Sequence, residues 1–471
     1  MSDTAAQKDN ILGTAPIGKL ILRMSVPTIV AQLINALYNI VDRIYIGRLP
    51  GDEGKLALAG LGIAFPIIMV ISAFAALIGM GGAPLAAIRM GEGNRQKAEQ
   101  ILGNCMVSLV ILSIVLTAIL LPSRDQLLIW FGASSSTLGY GSDYLAIYLI
   151  GTIFVQIALG MNNFITAQGF STTSMLTVLI GAVTNIVLDP ILIFGLDMGV
   201  RGAALATIIA QAVSAVWVMI FFFGKKSHLR ISRENLRLRK AVMFPVLSLG
   251  VSPFIMQSTE SLVQITFTSG MQKYGNDDYV GAIALIITCM QVVMMPLMGF
   301  SQGAQPIVSY NYGAQNFDRV KKCFRYMLIG CTSIGVFCWL FVMLFPSTLI
   351  YLFNDDPTLV EIGVYGIRIF MFGIFVTGVQ NACQSTFVAL GQAKTSMFLA
   401  LLRKIILLIP LALILPVIIT KTGLLGLSGT DGLFLAEPIA DICAALTTLT
   451  VFLVRSKKLL RPAEEKSLQN A

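Results

Sequence analysis

Charged residues are scarce in this 471-residue chain: Asp, Glu, Lys and Arg make up 12%, against 56% hydrophobic residues. Mean hydropathy is +0.81. So little polar material cannot clothe a soluble core, and the composition is that of a polytopic membrane protein. Histidine occurs once, at His228, which leaves no histidine cluster for a metal and no nucleophile–base pair of the usual kind. No GxxxxGK[ST] loop occurs, so neither a nucleotide partner nor ATP drive within the chain is expected. The seven cysteines (105, 289, 323, 331, 338, 383 and 443) fall in or beside apolar runs. They lack close metal-site spacing, and their odd number argues against a full disulfide framework. The stretch Met1–Ile17 is polar with scattered charge, so a cleaved leader is not expected. An enzyme is not indicated, and no cofactor is called for.

What the chain does hold is apolar length. Runs long enough to span a bilayer lie near 18–48, 57–88, 102–122, 138–166, 171–195 and 203–223. A second set lies near 242–271, 279–307, 325–353, 362–390, 395–420 and 432–454. The fold class is therefore all-α integral membrane, with twelve transmembrane helices in two groups of six. Several runs exceed the roughly 20 residues that a span requires, which implies tilt or bending. Pro27, Pro253, Pro410 and Pro416 are the candidate kinks.

An even helix number places both termini on one side. Alternating the loops assigns 23 of the 33 Lys and Arg to that side and six to the other, with Arg43, Arg368, Arg403 and Lys404 inside spans. The positive-inside rule then puts both termini in the cytoplasm, for a multi-pass protein of the cytoplasmic membrane. The net charge of +9 is concentrated in part in Lys225–Lys240, which holds seven Lys or Arg and joins the two groups. That basic linker suits an anionic leaflet, with no nucleic acid needed. The domains are accordingly 1–224, a linker at 225–240, and 241–471 with a cytoplasmic tail.

The two halves repeat. Gly81-Gly82-Ala83-Pro84 through Gly91-Glu92-Gly93-Asn94 returns 222 residues later as Gly303-Ala304-Gln305-Pro306 through Gly313-Ala314-Gln315-Asn316. Gly199–Ala206 returns as Gly429–Ala436, and Pro27 as Pro253. Six helices per repeat give both halves the same orientation, related by a pseudo-two-fold axis along the membrane normal. Duplication of that kind suits a transporter whose lobes rock about a central cavity.

One short stretch carries the chemistry. Asn185-Ile186-Val187-Leu188-Asp189-Pro190 interrupts an apolar run. A carboxylate there costs a few kcal/mol in lipid, so it faces protein or water. Asn185 lies four residues before Asp189, on the same helix face, and Pro190 deprives the Ile186 carbonyl of its usual donor. Carboxylate, amide oxygen and loose carbonyl together suit a hard cation or a proton. A buried Asp that merely ties helices together is the competing reading.

Three stretches together resemble the multidrug and toxic compound extrusion (MATE) transporters. They are Tyr38–Gly47 (YNIVDRIYIG), Asn185–Pro190, and Gln302–Pro306 leading to Tyr310-Asn311-Tyr312-Gly313. The resemblance covers essentially the whole chain and looks nearest to a bacterial drug-efflux branch. It implies a V-shaped pair of lobes that export organic cations and other amphipathic drugs in exchange for Na⁺ or H⁺, with the membrane lipid as surroundings and a monomer as the working unit. It further implies a first-lobe ion site at Asp42, Asn185, Asp189 and Thr207, with Na⁺ as the metal, and an acidic helix-7 residue at Glu260. The Asp that some members carry on helix 10 is missing from Gly378-Val379-Gln380-Asn381, which argues against a second-lobe ion site of that kind.

Two carboxylates brought together in a dry lobe repel when both are ionised, and a shared cation or proton relieves the repulsion. Against this, Asp42 could pair with Arg43, Thr207 could serve helix packing alone, and Glu260 could be a buried partner of Arg403 or Lys404. Glu437 and Asp441 share a face of the last helix, and Glu437 takes the repeat position of Thr207. Arg403 and Lys404 are expected near a cytoplasmic end, snorkelling. Asn35, Tyr38, Asn162, Asn163, Gln257, Glu260 and Gln380 are the candidate substrate-cavity residues. A lipid-linked precursor flippase is the alternative function, which would need a strongly basic cavity; a membrane channel or receptor is a third, from a different class.

Overall fold

A computed structural model describes residues 10–351, 356–423 and 426–460. The first nine residues, the end of the 325–353 run and the tail after Leu460 lie outside the described residues. Among the described residues, ten helices are long and apolar enough to cross a membrane, and two bent pairs bring the spans to twelve. The first six are α1 (Ile17–Gly47), α2 (Glu53–Gly91), α3 (Arg95–Trp130), α4 (Leu138–Ile150 with Thr152–Ala167), α5 (Ser171–Gly195) and α6 (Gly199–Phe223). The second six are α7 (Lys240–Tyr274), α8 (Asp277–Gly313), α9 (Phe317–Leu344), α10 (Pro357–Phe370 with Ile374–Ala389), α11 (Ala393–Thr422) and α12 (Gly429–Ser456). Every expected run contains a span, most beginning a few residues before the expected start, although α9 stops at Leu344 and Pro346–Tyr351 forms a separate short helix.

The two breaks between helix halves are sharply bent. α4 turns by 60° at Gly151 and α10 by 48° between Phe370 and Ile374, at equivalent places in the two lobes and with no proline at either break. Pro27, Pro253 and Pro416 instead sit inside continuous helices. Where neighbouring helices cover the freed carbonyl, a proline does not have to break a span. Two wider-wound π segments punctuate the bundle. One, Ile191–Gly195, begins directly after Pro190; the other, Leu402–Leu408, runs into Pro410.

The lobes meet in the half of the bundle that holds both termini. Ser25 Oγ donates to the Phe300 carbonyl at 2.9 Å, Thr28 Oγ1 to that of Gly299 at 2.6 Å, and Gln32 Nε2 to Gln302 Oε1 at 2.9 Å. Backbones touch there as well. A Cβ on Gly91 would overlap the Tyr310 carbonyl, and a Cβ on Gly313 would overlap that of Ile88. These are the repeat's own glycines, each lying against the other lobe's copy of the same turn. Arg319 fastens the N-terminal turn Ile11–Thr14 to this junction through the Leu12 and Ala15 carbonyls (3.2 and 2.8 Å). Among the described residues, the side-chain bonds that tie lobe to lobe cluster in this half, so the lobes are closed at the terminal side.

Candidate functional site

The first-lobe residues come together in the half away from the termini. α1, α5 and α6 bring Asp42 (8% exposed), Asn185 (1%), Asp189 (0%) and Thr207 (9%) into one pocket. Asn185 Nδ2 donates to Asp189 Oδ1 at 3.2 Å and contacts Thr207 Oγ1 at 3.5 Å. The Asp42 and Asp189 carboxylates lie close enough to repel. The amide thus turns its donor onto its own helix and Thr207, and leaves its oxygen without a donor. Asp42 Oδ1, Asn185 Oδ1 and Asp189 Oδ2 are all buried with no hydrogen-bond partner. Orphaned buried acceptors cost about 1–3 kcal/mol each, and more when charged. Three of them in one pocket make a nest of oxygens suited to a small hard cation or a proton. The pairing of Asp42 with Arg43 does not form; Arg43 lies over the Phe65 ring, 5.0 Å from its centroid.

Tyr144 closes one wall of this pocket. It is 4% exposed, hydrogen-bonds Thr207 and lies within electrostatic reach of Asp42. Tyr148 stacks beside it at 6.2 Å. Sequence reasoning does not single out either one, although Tyr140, Tyr144 and Tyr148 mark one helix face at intervals of four.

The expected cavity residues are spread more widely. Asn35 and Tyr38 are half-buried on α1 below Asp42. Asn162 Nδ2 donates to the Ser174 carbonyl at 3.2 Å while its Oδ1 is orphaned. Asn163 donates to its own helix at Leu159, 2.9 Å. Gln380 is buried, and Gln257 carries an orphaned buried Oε1.

The second lobe corrects one expectation. Arg403 and Lys404 do not snorkel: both are buried, 9% and 6% exposed, within the α11 π segment midway along the helix. Arg403 donates through Nε to Asp441 Oδ1 at 2.8 Å and reaches Glu437 Oε1 at 3.4 Å. Lys404 Nζ donates to Glu260 Oε2 at 2.6 Å. Glu260 is therefore a salt-bridge partner, the competing reading for that residue, although 44% of its side chain is exposed. Burying a cation is tolerable only beside carboxylates, and α7 and α12 supply them.

A model of the MatE family matches residues 27–191 and 253–414. The multidrug export protein MepA of Staphylococcus haemolyticus is 28% identical over 94% of both chains. MepA of Staphylococcus aureus is 25% identical over 96% of this chain and 97% of its own. The MATE multidrug transporter DinF-BH, whose structure is solved as a complex, superposes with a TM-score of 0.85 at 36% identity, covering 94% of this chain and 96% of that one.

Proposed function

Because this chain belongs to the MatE family of membrane transporters, we propose that it is a multidrug efflux antiporter, exporting organic cations and other amphipathic drugs in exchange for Na⁺ or H⁺. The observation that carries the reading is the trio of orphaned oxygens on Asp42, Asn185 and Asp189. They form a seat for the small ion in one lobe, while the cavity between the lobes takes the bulky guest. On the reading that both termini are cytoplasmic, the closed terminal half supports an outward-open state. Ion entry at Asp42 and Asp189 removes their mutual repulsion, draws α1 toward α5 and lowers the affinity for drug. The drug leaves, the loaded carrier returns inward, and drug binding from the cytoplasm or inner leaflet starts the next round. Each ligand shifts the balance only by its differing affinity for the two states.

The flippase alternative has little support, since Arg403 and Lys404 are each matched by carboxylates. The test is export of a fluorescent organic cation from vesicles under separate Na⁺ and H⁺ gradients. Asp189→Asn should abolish gradient-driven export while leaving a folded protein in the membrane. Full activity of that variant would remove Asp189 from the coupling.

A further inference from the structure

The buried charges of the second lobe do not balance. Glu260, Glu437 and Asp441 face Arg403 and Lys404, so three carboxylates share two cations. Arg403 is committed to Asp441, at 2.8 Å from Nε and 2.7 Å from a terminal nitrogen, and reaches Glu437 only at 3.4 Å. Lys404 is committed to Glu260 and also lies within electrostatic reach of Glu437. Glu437 is thus a further carboxylate toward which the Lys404 ammonium, on its flexible four-carbon stem, can swing.

Glu260 itself stands on a helix with three faces. Val263, Phe267 and Met271 are in the core, and Leu262 and Ile265 are exposed apolar residues facing lipid. Gln257, Ser261, Gln264 and Thr268 occupy a third arc, at about 100° per residue, while Glu260 falls on the core-facing arc between Phe267 and Met271, beside that polar arc. A polar face at membrane depth lines water or protein rather than lipid. The orphaned Gln257 oxygen belongs to the same arc, one turn before Glu260. Glu260 is thus a half-exposed carboxylate, open to an arriving lipophilic cation, whose ammonium partner Lys404 is 8% exposed.

We infer that Lys404 is a tethered cation occupying the Glu260 subsite, and that a cationic substrate binds by displacing its ammonium toward Glu437. This rests on the transport reading above and adds a specificity-determining residue to it. The built-in ammonium makes every organic cation compete for Glu260. It therefore weakens binding enough for release and disfavours guests that carry no positive charge. A monovalent cation arriving there also completes the count of three charges against three.

The experiment measures binding of tetraphenylphosphonium to the purified full-length protein by calorimetric titration, with export measured in vesicles. Lys404→Met should tighten binding about tenfold, because the guest no longer has to break the charge-assisted Lys404–Glu260 hydrogen bond before it pairs with the carboxylate. Lys404→Arg should stay near wild type, because the competitor is kept. Adding Glu260→Gln to Lys404→Met should remove the gain. If Lys404→Met does not fold, Lys404→Met with Glu437→Gln returns the cluster to the wild-type excess of one negative charge and should show the same tightening. Unchanged or weaker binding in the methionine variants, or a gain that survives Glu260→Gln, overturns the inference while leaving wild-type export intact. Wild-type protein that neither binds nor exports the cation would overturn the transport reading as well.

Discussion

The junction of Gly91 and Gly313 gives the sharpest test of how the two lobes part. A methyl group on Gly313 would overlap the Ile88 carbonyl, and backbone cannot rotate out of the way as a side chain can. Overpacking of this kind costs about 1–3 kcal/mol, and the cost falls only on the state in which the terminal halves touch. Gly313→Ala should therefore reduce the population of that state by roughly 5- to 150-fold relative to its competitor. Gly91→Ala should do the same, since it meets Tyr310 as Gly313 meets Ile88. Spin labels at Asn94→Cys and Asn316→Cys, in a background with the exposed Cys443 replaced, report the separation directly by pulsed dipolar spectroscopy. Wild type should give a short distance and both alanine variants a long one. A variant that folds and exports yet keeps the short distance would refute the reasoning, because the junction would then be soft.

Two further outcomes follow from the charges. Arg403→Met strands two buried carboxylates and should destabilise the protein by about 3–5 kcal/mol in detergent unfolding; Asp441→Asn should cost less, since Glu437 stands 3.4 Å from the same guanidinium. Equal or reversed costs would show that the Asp441 contact is not what holds Arg403. In the linker, His228 packs on Phe170 at 5.2 Å, and burial together with Arg95 holds its pKa below the ordinary 6.5. Both folded and unfolded imidazoles are neutral above that value, so docking is unaffected there. Below it the free ring gains a proton first, and linker docking weakens. The protection of the Ser227–Leu229 amides, a segment tied to Gln168, relative to their intrinsic exchange rates should fall as pH drops through 6.5, and His228→Gln should abolish that loss of protection.

The spans and the Asn185–Asp189 pair are legible in the sequence because each is local. Lipid-length apolar runs announce themselves, and two polar groups four residues apart share a helix face wherever the helix goes. The places of Arg403 and Lys404 are illegible for the opposite reason. Their partners lie 34 to 144 residues away in sequence, and only the packing of α11 against α7 and α12 brings them within reach. The bends in α4 and α10 carry no proline to mark them; Gly151 and the Met371–Gly373 turn make them instead. Tyr144 does leave a helical signal, but one aromatic stripe among many apolar residues says nothing of the carboxylate opposite.

The open nest in the first lobe has an electrical consequence. When ionised and without a guest, Asp42 and Asp189 are two unbalanced negative charges set within the membrane's field. Moving one elementary charge through 100 mV is worth about 2.3 kcal/mol. An inside-negative voltage should then hold the vacant carrier facing outward, and the arrival of a positive ion should release that hold. The voltage across the membrane would thereby time the return stroke as well as help to power it.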